Sequence, residues 1–95
     1  MANYELMFIV RPNMEAEAVE AVVADLQAAI QKLGGEVSKV DGWGKRKLAY
    51  EINKVHEGHY FVLYFTGSHE IISELEHFFR VKDEVIRFLV VREDE

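Results

Sequence analysis

No cysteine occurs among the 95 residues, which excludes disulfides, cysteine-ligated zinc, iron–sulfur clusters and thiol catalysis. Disulfides are common in secreted domains of this size, so their absence favours an intracellular setting. Proline occurs once and glycine six times in a chain that is 49% hydrophobic, a balance that argues against disorder. No long apolar run exists. The longest, Tyr60 to Phe65, is far short of the ~20 residues a membrane helix needs. The opening Met-Ala-Asn-Tyr-Glu carries neither a basic nor an apolar leader segment, so no signal peptide is expected. A chain of this length supports one small core and not a multi-domain enzyme. Positive charge is also in deficit: 17 acids against 11 bases leave a net charge of −6, which argues against unspecific coating of nucleic acid. The bases are nonetheless concentrated, at Lys45-Arg46-Lys47 and between Arg80 and Arg92.

Apolar periodicity sets out six elements. Tyr4 to Val10 reads as a strand stopped by Pro12, with Asn13 a plausible helix cap. Val19, Val22, Val23, Leu26, Ala29, Ile30 and Leu33 form one helical stripe, closed by Gly34-Gly35. A strand region from Glu36 to Ile52 is interrupted at Gly42-Trp43-Gly44, a bulge signal. Asn53 to Gly58 reads as a polar hairpin connection and His59 to Thr66 as an aromatic third strand. Ser68 caps a second helix with the stripe Ile71, Ile72, Leu75, Phe78 and Phe79, and Val85 to Arg92 is the last strand. The order βαββαβ is the ferredoxin-like pattern, an α+β fold with a four-stranded antiparallel sheet, strands one and three central and both helices on one face. Residues 1–92 are expected to form the single domain and residues 93–95 an acidic tail.

Two helices cover only one face of such a sheet. Alternation sends Leu6, Phe8, Val10, Ile86, Phe88 and Val90 inward, and the tyrosine hydroxyls favour Tyr60 and Tyr64 outside. The uncovered face is then expected to carry Met7, Ile9, Tyr60, Val62, Tyr64, Leu89 and Val91, with Arg11 and Arg87 at its rim. An apolar, aromatic patch with a basic rim marks a binding surface. One reading is base stacking as in an RRM, for which Gly58-His59-Tyr60-Phe61-Val62 is a partial match. That match has Glu57 where a cation is expected, and its phase requires His59 and Phe61 to point outward. The other reading is a protein partner on the sheet and RNA phosphates at the rim. A charge introduced at Tyr60 or Val62 is then expected to weaken partner binding and leave the domain folded.

Catalytic and metal chemistry find no support. His56 and His59 lack a third ligand, Glu74 and His77 supply one of the two motifs that a di-iron site needs, and Gly42-x-Gly44 precedes a strand and not a helix. No catalytic residue, metal or cofactor is expected.

The run Gly42-Trp43-Gly44-Lys45-Arg46-Lys47-Leu48-Ala49-Tyr50-Glu51-Ile52 closely resembles the bacterial small-subunit ribosomal protein S-six family, as do Tyr4 to Asn13, Gly58 to Phe61 and Val81 to Val91. The resemblance covers essentially the whole chain. It implies a non-enzymatic component of the cytoplasmic ribosome that binds the central domain of small-subunit ribosomal RNA together with ribosomal protein S-eighteen, with no membrane and no small-molecule substrate among its partners. Combined with the patch, it makes Lys45, Arg46, Arg80, Lys82, Arg87 and Arg92 the expected candidates for RNA contact, although the motif alone does not divide RNA contacts from protein contacts. Partner-protein contact falls to Met7, Ile9, Trp43, Tyr50, Tyr60, Val62, Tyr64 and Leu89. The alternatives are a free-standing RRM-like single-strand binder and a small metabolite-binding regulatory domain.

Overall fold

A computed structural model describes the backbone of residues 2–52 and 55–93, and the side chains of these apart from 49–52 and 55. Six elements follow one another: β1 (Ala2–Val10), α1 (Ala16–Lys32), β2 (Glu36–Ile52), β3 (Val55–Gly67), α2 (Glu70–Val81) and β4 (Val85–Arg92). The strands form one antiparallel sheet in the order β2-β3-β1-β4. This is the ferredoxin-like arrangement expected from the sequence, with β1 and β3 central.

Apolar residues from both helices and from one face of the sheet meet in a single cluster. Leu6, Phe8 and Val10 of β1, Leu63 and Phe65 of β3, Val22, Leu26 and Ile30 of α1, and Ile71, Leu75 and Phe79 of α2 are all buried in it. Both helices therefore cover the same face. Cross-strand register places Phe8 between Phe61 and Phe88. Phe8 stacks on Phe61 at 5.2 Å between ring centroids, and Phe79 of α2 stacks on Phe88 at 4.7 Å. Offset ring pairs of this kind add stability beyond the area they bury.

The helix ends differ in how they are closed. At the C-terminus of α1 the Gly34 and Gly35 amides donate to the carbonyls of Gln31 and Ile30. Gly34 takes a φ of 88°, the left-handed conformation that glycine adopts without penalty at this position. The start of α1 departs from expectation. Asn13 lies in a turn, and the cap is Glu15, whose side chain makes no capping bond. Ser68 likewise precedes the cap of α2, which is His69.

Two further corrections follow from the strands. Val55 to Gly58 belong to β3 and not to a loop, so the strands of the β2–β3 hairpin are longer than expected; Asn53 and Lys54 of the expected connection lie outside the described residues. In β4 the pairing with β1 shifts between Ile9 and Val10. A bulge changes the phase of the strand by one residue. Val85 consequently packs against the core and Ile86 does not, the reverse of simple alternation, whereas Phe88 and Val90 face inward as expected.

Candidate functional site

The face of the sheet turned away from the helices is built in rows fixed by strand register. Lys39, Tyr64, Glu5 and Val91 lie side by side across β2, β3, β1 and β4. Asp41, Val62, Met7 and Leu89 form the next row, and Gly44, Tyr60, Ile9 and Arg87 the third. Leu89 is 49% exposed and Val91 48% exposed, while Met7, Tyr60 and Tyr64 are half-buried. Apolar side chains this open, side by side on one sheet face, form the patch anticipated from the sequence.

Two members of the expected patch are not at its surface. Ile9 and Val62 lie on this face but are only 2% exposed. Val62 alternates along β3 with the half-buried Tyr60 and Tyr64. Ile9 leans over Gly58: a Cβ built on that glycine would fall 2.4 Å from the Ile9 Cγ2. A missing side chain on the adjacent strand thus makes the space in which Ile9 is buried. Val91, which the sequence put on this face but not among the partner contacts, is as open as Leu89.

At the edge formed by β2 the surface changes character. The β2–β3 hairpin runs past the end of β1, since Val10 pairs with His59 while the hairpin continues to the pair Ile52 and Val55. The projecting arm runs from His59 to Val55 along β3, roughly 13 Å at ~3.3 Å per residue. At its root the ladder skips Trp43, pairing Gly42 with Phe61 and Gly44 with Tyr60. Gly44 adopts a φ of 81°, and the Arg46 Nε donates to the Trp43 carbonyl at 3.0 Å. Trp43 itself is 52% exposed, and Lys45, Arg46 and Lys47 are all exposed. The Lys45 ammonium stands 3.9 Å from the Glu57 carboxylate, a distance at which an exposed pair contributes little. His56 and His59 lie on β3 and not in a loop, and the His59 Nε2 is buried with no hydrogen-bond partner among the described residues. The side chain of Tyr50 lies outside the described residues.

The remaining cations are dispersed. Lys82 bonds Asp25 of α1 at 3.0 Å and lies over the Phe78 ring, so it ties the two helices together. Arg80 is exposed on α2. Arg92 pairs across to Tyr4, on the helix-covered side, and lines a hollow with Tyr4, His69, Ile72 and Val90. Arg11 donates from Nε to the Asp83 carbonyl at 2.6 Å and from its amide to Glu84 at 2.8 Å, which anchors the α2–β4 corner. Of the six cations expected to meet RNA, Lys45 and Arg46 share the arm and Arg87 sits on the open face, while Arg80 and Lys82 belong to the helix layer and Arg92 ends β4 on the helix-covered side. That division is tertiary and leaves no trace in local sequence.

The molecule is a ferredoxin-like domain with exposed Leu89 and Val91 on β4 and an exposed basic run on β2. Comparison with known proteins narrows the class. A family model described as Ribosomal protein S6 matches residues 3–92. The small ribosomal subunit protein bS6 of Moorella thermoacetica is 44% identical over all of this chain and 97% of its own. That of Heliobacterium modesticaldum is 47% identical over all of this chain and 99% of its own. The crystal structure of 30S ribosomal protein S6 from Thermotoga maritima superposes with a TM-score of 0.92 at 41% identity, covering 97% of this chain and 87% of that one. The chain therefore belongs to the ribosomal protein S6 family, bacterial structural components of the small ribosomal subunit, and is not an enzyme. As a ribosomal component its place is the cytoplasmic ribosome.

Proposed function

We propose that the chain binds the central domain of small-subunit ribosomal RNA jointly with ribosomal protein S-eighteen. Met7, Tyr60, Tyr64, Leu89 and Val91 turn toward the partner protein, and Lys45 and Arg46 toward RNA phosphates. The observation that carries this reading is the separation of the two surfaces. The most exposed apolar side chains of the face stand on β4, and the basic run stands on β2 at the opposite edge of the sheet. A chain of net charge −6 has too little positive field to hold a phosphate backbone alone, so a basic partner supplies the remainder. Ile9 and Val62 support the face from beneath.

The RRM-like alternative loses its main support. Stacking in that mode requires an outward aromatic at Phe61, and Phe61 is packed inward on Phe8. The test is a filter-binding titration of the ribosomal RNA fragment with the chain alone, the partner alone and the two together. Tight binding is expected only for the pair. Equal affinity with and without the partner would remove joint binding.

A further inference from the structure

Trp43 is the only tryptophan in the chain, and the fold presents it instead of burying it. The ladder passes over it from Gly42 to Gly44. Its neighbours on both sides are glycines, so no adjacent side chain covers the indole. Space around Gly44 is open: a Cβ built there would meet nothing within 4 Å. The conformation is held on two sides, by the positive φ of Gly44 and by the bond from the Arg46 Nε to the Trp43 carbonyl. That bond fixes the guanidinium beside the backbone of the same residue. An exposed indole on a fixed bulge with exposed Lys45, Arg46 and Lys47 immediately after it combines a flat apolar surface with anion-binding groups. Nucleic-acid surfaces that hold single-stranded segments combine these two elements.

We infer that Trp43 stacks on one unpaired nucleobase of the ribosomal RNA while Arg46 and its neighbouring lysines hold the flanking phosphates. The inference rests on the RNA-binding reading given above and assigns Trp43 to RNA instead of to the protein partner. Location carries the choice. Anchoring tryptophans of protein–protein interfaces sit near the centre of a patch from which water is excluded. Trp43 is instead at the β2 edge, with β3 and β1 between it and the exposed Leu89 and Val91 of β4, roughly 14 Å away at ~4.8 Å per strand. Beyond Gly44 the chain continues with Lys45, Arg46 and Lys47, all exposed; lysines are depleted from interface cores and serve phosphate-binding surfaces.

The test labels the single tryptophan of this chain with 5-fluorotryptophan, pairs it with unlabelled partner and adds the central-domain RNA fragment. The expected result is a displacement of the fluorine resonance on addition of RNA. Trp43→Leu should weaken RNA binding by the heterodimer about tenfold, the scale of one stacked base, and Trp43→Phe should recover most of that loss. The log–log salt slope should stay unchanged in Trp43→Leu, because no phosphate contact is removed. A resonance unmoved by RNA, or full RNA affinity in Trp43→Leu, overturns the stacking role while RNA binding by the heterodimer stands. A wild-type heterodimer that does not bind the fragment overturns both the RNA-binding reading and this one.

Discussion

The two faces of this sheet are built from the same strands with the same alternation, and they meet different fates. On one face Leu6, Phe8 and Leu63 are fully enclosed, because α1 and α2 each bring an apolar stripe to them. On the other, Leu89 and Val91 stand half in water, and no element of the chain lies over them among the described residues. Alternation of apolar and polar residues therefore does not separate core from surface in this protein, since both faces of β1 and β4 carry apolar side chains. What separates them is where the helices go. The face left without helices is the one on which we propose that the partner protein docks.

Substitutions on the two faces break the comparison if it is wrong. The largest expected effect is in the core. Phe8→Ala should cost about 3–5 kcal/mol of stability, a large part of the ~5–15 kcal/mol a small domain possesses. Leu89→Ala, by contrast, should stay within about 0.5 kcal/mol of the native protein. Urea unfolding of both variants measures the contrast, and similar losses would mean that the open face is part of the core.

Val62 sharpens the same contrast from within. It lies on the open face but is only 2% exposed, so Val62→Asp places an unpaired carboxylate in a buried site. We expect destabilisation of the isolated domain on the order of 3 kcal/mol, where Tyr60→Asp leaves it folded. Thermal unfolding of the two variants separates them, and a Val62→Asp protein as stable as Tyr60→Asp would contradict the burial described here.

At the basic edge, Arg46→Ala should flatten the log–log salt dependence of RNA binding by the heterodimer by roughly 0.7–0.9, the slope lost with one phosphate contact. An unchanged slope across a salt series would take Arg46 off the RNA surface. The smallest effect belongs to the helix layer. Asp25→Ala removes the partner of Lys82, and a partly exposed surface pair of this kind contributes on the order of 1 kcal/mol or less. The loss should shrink further in high salt, and RNA affinity should not change. Weakened RNA binding in that variant would connect Lys82 to the RNA after all.

Much of this arrangement is legible in the sequence, and the exceptions share a cause. β4 has the bounds read from the sequence, Val85 to Arg92, and the β2 bulge is announced by Gly42-Trp43-Gly44. The helical stripes identify the buried face of each helix. What local pattern does not reveal is set by a neighbouring strand. The inversion at Val85 and Ile86 comes from a shift in pairing with β1. The burial of Ile9 comes from Gly58, 49 positions away in sequence and adjacent in the sheet. The start of α1 misleads because Pro12-Asn13 has the composition of a helix cap and forms a turn instead. Of the candidate site, residue types were legible, but their grouping was not. Only the sheet order shows that Lys45 and Arg46 lie on the edge opposite Leu89, and only the helix packing shows that Lys82 is occupied by Asp25.

The central claim is that the open face of the sheet serves a protein partner and is dispensable to the fold. Isothermal titration of ribosomal protein S-eighteen with Leu89→Asp tests it most directly, since Leu89 is exposed in the isolated chain and lies at the middle row of the face. A charge desolvated at an interface should lower affinity by about a hundredfold or more, with the thermal unfolding midpoint of the isolated variant unchanged. Native affinity in that variant would contradict the account.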